Sequence, residues 1–142
     1  MNIKDFLKQA FDINREIDNK LEQLERLKEL AVKTTSIISD MPRGSNKQGS
    51  NLENAIIKIQ EQQEKLDREV AHLIDKQTQI AAVIASVENY DERMVLEYRY
   101  LCFKPWRAIA KAMRLSSERV YYLHRNAIEK ISKIKVNDSK RQ

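Results

Sequence analysis

The sequence predicts an all-α protein, a long antiparallel helical hairpin of coiled-coil type followed by a small three-helix domain with a helix-turn-helix. Three observations carry this. Two glycines and two prolines among 142 residues are too few for the turns of a sheet protein. Apolar residues recur at helical and heptad spacing over the first 88 positions. The back of the chain packs short apolar helical patterns into a strongly basic stretch, with eleven basic and three acidic side chains over residues 103–142.

The first helix is drawn by Phe6, Ala10, Ile13, Ile17, Leu24, Leu27, Ala31 and Ile38. Lys20 and Thr34 interrupt that stripe, and Leu21, Leu30 and Ile37 widen it. The second is cleaner. Leu52, Ile59, Leu66, Leu73, Ile80 and Val87 lie seven apart, with Ile56, Gln63, Val70, Gln77 and Ile84 between them, which is a heptad seam. Between the two, residues 41–51 hold both glycines and Pro42 and are expected to be a loop. Ser50 and Glu53 have the spacing of a capping box that would start the second helix. Residues 3–39 and 52–87 each make a rod of about 55 Å at 1.5 Å per residue. Their equal lengths make residues 1–88 an antiparallel hairpin. The second stripe is wider than one neighbour covers, so the hairpin is expected to drive a homo-oligomer, a dimer first of all. The alternative is a hairpin closed within one chain. Gln63 and Gln77 either fix register or are tolerated polar edges.

A second domain, residues 89–142, opens with Asn89 and Glu92 at capping distance. A short helix follows to about Cys102, expected to bury Met94, Val95, Tyr98 and Leu101. Pro105 then suits a first helical turn, and the next helix ends at Met113. The third begins after Ser116, over residues 117–133, with an inward row of Val120, Leu123, Ala127, Ile131 and Ile134. Asn137 to Gln142 read as a solvated end. Within residues 106–125 the spacing is that of a helix-turn-helix. Ala110 is small where the second helix crosses, and Ile109, Met113, Leu115, Val120 and Leu123 are apolar where the pair closes. Arg114 stands where the turn usually has glycine, at a cost if that residue takes a positive φ. Ser116 is placed to cap the helix after it.

That register turns Ser116, Ser117, Glu118, Tyr121, Tyr122 and Arg125 outward. These side-chain types reach base edges in a major groove: Arg to guanine, Glu to cytosine, Ser to several bases, Tyr by contact or through water. Lys104, Arg107, Lys111, Arg114 and Arg119 surround the row and suit contacts to phosphate. Double-stranded DNA is therefore the expected partner.

The stretch from Val95-Leu96-Glu97-Tyr98-Arg99-Tyr100-Leu101 through Trp106-Arg107-Ala108-Ile109-Ala110 to Arg119-Val120-Tyr121-Tyr122-Leu123-His124-Arg125-Asn126-Ala127-Ile128 resembles region 4 of sigma-70 factors. More narrowly, the helical front, the Met41-Pro42-Arg43-Gly44 loop and the basic back are similar to phage and prophage regulators of the ArpU/RinA type, along almost the whole chain. The resemblance implies a small transcription factor for phage late or packaging genes, in a bacterial cytoplasm at the nucleoid. It also implies promoter contact through Arg119, Tyr122 and Arg125, and a contact with RNA polymerase. Nothing resembles sigma region 2, so unaided promoter melting is not expected.

Other features exclude whole classes. The formal net charge is +5 and the pI about 9.3, which favours a polyanionic partner. No stretch approaches the roughly 18 apolar residues of a membrane span, and Met1 to Phe6 lack the apolar region of a secretory signal. One cysteine, Cys102, makes no internal disulfide and is expected to be buried and inert. Cys102, His72 and His124 are too few for a structural zinc. His72 and His124 are expected at the surface, and Trp106 in the packing of the small domain. No phosphate-cradling glycine loop or nucleophile triad is present, so neither enzyme activity nor a cofactor is expected. Two rivals share the pattern: a small-terminase-like DNA-packaging protein, and a polymerase- or sigma-binding protein that does not read DNA.

Overall fold

In the computed structural model, which describes residues 2–41 and 46–141, every regular element is helical. Helix α1 spans Ile3–Asp40 and α2 spans Asn46–Ala85. The Asn2 side chain caps α1, its Oδ1 accepting from the Asp5 amide at 2.8 Å. Helix α3, Tyr90–Leu96, runs into a wider π-helical turn, Glu97–Leu101. Helix α4 spans Trp106–Met113 and α5 spans Ser117–Arg141, eight residues longer than the 117–133 expected. The side chains of Ile134, expected inward, and of Asn137 to Gln142, expected in solvent, lie outside the described residues.

The expected loop is corrected in part. Pro42 to Ser45 lie outside the described residues, but Asn46–Asn51 belong to α2. Ser50 is therefore not a cap, and Gly49 sits in the first turns of a helix. A glycine there costs only about 1 kcal/mol, and no proline after Pro42 blocks the turn.

The chain forms two compact units, Met1–Asn14 with Asp75–Gln142, and Arg15–Ile74. They do not follow chain order. Residues 1–14 and 75–88, assigned to the hairpin by sequence, fall in the unit that holds the helix-turn-helix.

In the Arg15–Ile74 unit, α1 and α2 lie side by side in opposite directions. Lys20 pairs with Glu69, Nζ to Oε2 at 2.9 Å, and this lysine holds the Glu69 carboxyl below its ordinary pKa, first by the hydrogen bond and then by its charge. The heptad seam is covered within one chain: Ile59, Leu66 and Leu73 are buried, and Ile56, Gln63 and Val70 are half-buried. Thr34 is buried too, its hydroxyl satisfied by the Leu30 carbonyl at 2.8 Å. The side chains that widen the first stripe, Leu21, Leu30 and Ile37, stay outside, and so do Ile57 and Ile74 on α2.

In the other unit, Ile3, Leu7, Ala10 and Ile13 from α1, Ile80 and Ile84 from the end of α2, and Val87 just after it are buried. The expected cap forms, with Asn89 Oδ1 accepting from the Glu92 amide at 3.0 Å. Glu92 is buried, and both its carboxylate oxygens accept from Lys130 Nζ at 3.0 Å, which ties α3 to α5. The apolar register of the short helix is corrected: Val95, Leu96 and Tyr100 are buried, while Met94, Tyr98 and Leu101 are half-buried. The π turn adds a residue to one helical turn and rotates everything after it. No helix among the described residues is long and apolar enough to cross a membrane.

Candidate nucleic-acid interface

The helix-turn-helix core forms in the register that its spacing predicts. Val95, Ile109, Ala110, Val120 and Leu123 make one buried cluster, with Tyr98, Trp106, Met113 and Leu115 packed against it. Arg114 closes α4 in the left-handed conformation, φ 57° and ψ 43°. Its amide donates to the Lys111 carbonyl at 3.3 Å, and the Leu115 amide donates to the Ala110 carbonyl at 3.0 Å. That pair of bonds is a Schellman closure, which favours glycine at the position Arg114 holds. Arg114→Gly is expected to raise stability by roughly 0.5–1 kcal/mol, because a side chain in the left-handed region is strained. Thermal melting of the two proteins checks this, and a lower melting temperature for the glycine variant counts against strain at the turn.

Ser116 caps α5 as expected, its Oγ accepting from the Arg119 amide at 3.1 Å. With Val120, Leu123, Ala127 and Ile131 buried, the opposite side of α5 is outward. Ser116, Ser117, Glu118, Tyr121, Tyr122 and Arg125 are all exposed. Of the basic set, Arg107, Lys111, Arg114 and Arg119 are exposed and Lys104 is half-buried. Two of them lean on rings, Lys104 at 4.6 Å over Tyr98 and Arg119 at 4.9 Å over Tyr122. The second contact holds Arg119 against the outward row.

A cluster that pattern analysis missed supports this surface from behind. His124, expected at the surface, is 8 % exposed. Its Nε2 lies 2.8 Å from Tyr100 Oη, and its ring stacks on Tyr100 and meets Trp106 edge-on at 4.7 Å. Burial, then the charges of Lys4 and Arg99, lower its pKa to about 4. Burial likewise raises the Tyr100 pKa. Phe11 of α1 packs against both Tyr100 and Phe103. Arg99 lies between two rings, 4.9 Å from Phe11 and 4.6 Å from Trp106, while its Nη1 donates to the Lys104 carbonyl at 3.0 Å. Trp106 in turn packs on Tyr121 at 5.1 Å, as its expected packing role requires. The signal for His124 was in the spacing: it is four residues after Val120 and three before Ala127, inside the inward arc of α5.

Cys102 is corrected in the opposite sense. It is exposed, because the π turn ends beside it and Phe103 takes a positive φ of 59°, so the chain leaves the helix before the thiol can turn inward. His72 is exposed, as expected. Among the described residues no cluster of His, Cys, Asp and Glu is grouped to hold a metal.

A family model described as "Protein of unknown function (DUF1492)" matches residues 31–132. No curated protein and no solved structure matches the chain.

Proposed function

We propose that this chain, which belongs to the DUF1492 family, is a sequence-specific regulator that binds duplex DNA through α5. The observation that carries this is the two-sidedness of α5. One side is buried against α3 and α4, and the other presents Ser116, Ser117, Glu118, Tyr121, Tyr122 and Arg125 to solvent, with Arg107, Lys111, Arg114 and Arg119 exposed as well. The resemblance to sigma region 4 supports promoter DNA of phage or prophage genes as the target, with RNA polymerase as a second partner. The apolar side chains that the Arg15–Ile74 unit leaves outside support self-association of the hairpin as a dimer.

The experiment separates reading from holding. If Arg125 meets a guanine edge, Arg125→Ala is expected to lose about 1–3 kcal/mol on the cognate site and much less on random DNA. Lys111→Ala should weaken both about equally, since a phosphate contact carries no sequence information. Both side chains are exposed, so both variants should melt like the parent. Equal losses on cognate and random DNA for Arg125→Ala would move base reading to Ser117, Glu118 or Tyr121. Absence of any selective duplex binding by the parent would overturn the proposal itself.

A further inference from the structure

Beside α5 lies a cavity of about 550 Å³ whose walls include Lys4, Lys8, Phe11, Arg99, Tyr121 and Arg125. Four cations from three helices face this one space. Among the described residues no carboxylate pairs with any of them, although Glu118 also lines the cavity. Arg99 cannot swing away, since two rings and the Lys104 carbonyl hold its guanidinium. Lys4 and Lys8 are four residues apart on one face of α1, where like charges weaken a helix. Both are exposed, so neither serves the core. Folding gives this arrangement no reason, and an anion does.

Resting on the DNA-binding reading above, we propose that Lys4 and Lys8 of α1, with Arg99 beside them, hold a backbone phosphodiester of the same duplex that α5 reads. The position of the cavity selects that anion. Glu118, Tyr121 and Arg125 form one wall, and they are also part of the outward row of α5. Whatever lies against that row on the α1 side passes over the cavity, and a helix seated in a groove is flanked by phosphates. The positive potential of the site is felt inside the protein as well, where Lys4 and Arg99 help to keep His124 neutral. The start of α1 thereby becomes part of the DNA-binding surface, although it is more than ninety residues from Ser116 in sequence.

The test is the salt dependence of duplex binding by the full chain, with Lys4→Gln/Lys8→Gln against the parent. The double variant is expected to bind cognate and random DNA more weakly by the same factor, on the order of tenfold at 50 mM salt for each phosphate it no longer neutralises. The slope of log affinity against log salt should shrink by about 0.9 for each such phosphate. Lys4→Arg/Lys8→Arg should restore the slope, and all three proteins should melt alike. An unchanged slope in the glutamine variant, while Lys111→Ala lowers it, overturns the role of α1 and leaves DNA reading by α5 intact. If the parent shows no salt-dependent duplex binding, both fall. Inorganic phosphate alone is the remaining probe, read by the fluorescence of Trp106, the single tryptophan. Saturable quenching that is abolished in the glutamine variant, with its DNA slope unchanged, would assign the cavity to a free anion and overturn the phosphodiester.

Discussion

Leu66→Ala and Leu73→Ala are each expected to lower the unfolding free energy by about 2–5 kcal/mol. Both side chains sit in the seam of α2, 7 % and 5 % exposed. Truncation removes their transfer free energy and leaves a void that two rigid helices fill only partly. Urea unfolding followed by helical circular dichroism measures each loss, and losses under about 1 kcal/mol would mean that the seam is not a core. The exposed row behaves differently. Leu30→Ser and Ile37→Ser remove side chains that are 48 % and 53 % exposed, so stability should change by no more than about 0.5 kcal/mol. If that row joins two copies, these variants should sediment as monomers at concentrations where the parent does not. A parent that is itself monomeric at tens of micromolar would end the dimer proposal.

Acid is expected to remove about 3 kcal/mol of stability through His124 alone. Its folded pKa is lowered to about 4, against about 6.5 in an unfolded chain. Above pH 6.5 the ring is neutral in both states, and the full stability is present. As the pH falls from 6.5 towards 4, the unfolded chain takes up a proton that the folded ring refuses, so stability drains over that window. A neutral ring with its proton on Nδ1 accepts the Tyr100 hydroxyl at Nε2, and a charged ring cannot. Denaturation of the parent and of His124→Gln at several pH values tests this. The parent should lose the larger share of its stability between pH 6.5 and 4, and parallel curves would rule out His124 as the titrating group.

The helix-turn-helix is legible in the sequence because its constraints are local. Ala110, Val120 and Leu123 lie within fourteen residues of each other, and each spacing admits few packings. The strain at Arg114 is legible for the same reason, since the turn needs a left-handed residue whatever surrounds it. The heptad seam can be read from its period, and the structure buries it at Ile59, Leu66 and Leu73. The misses share a different cause. The exposure of Cys102 and the burial of Tyr100 depend on one π turn, which no apolar pattern announces. The Phe11–Arg99–Trp106 stack joins residues almost ninety positions apart, so no window of sequence contains it. The start of α2 escapes because glycine and serine read as breakers, whereas a long helix tolerates them in its first turns.

The division of the chain has a kinetic consequence. The unit that holds α5 is assembled from Met1–Asn14 and from residues after Asp75, with the sixty residues of Arg15–Ile74 between the two pieces. Bringing the ends of a flexible loop of that size together costs about 3–4 kcal/mol of chain entropy. Helices and a hairpin between adjacent helices form from short-range contacts and form early. Once α1 and α2 are paired through Lys20 and Glu69, the connection is no longer a flexible loop, and that entropy cost falls. The intervening unit thus works as a built-in folding guide: pairing α1 with α2 early lowers the entropy cost of assembling the unit that holds α5.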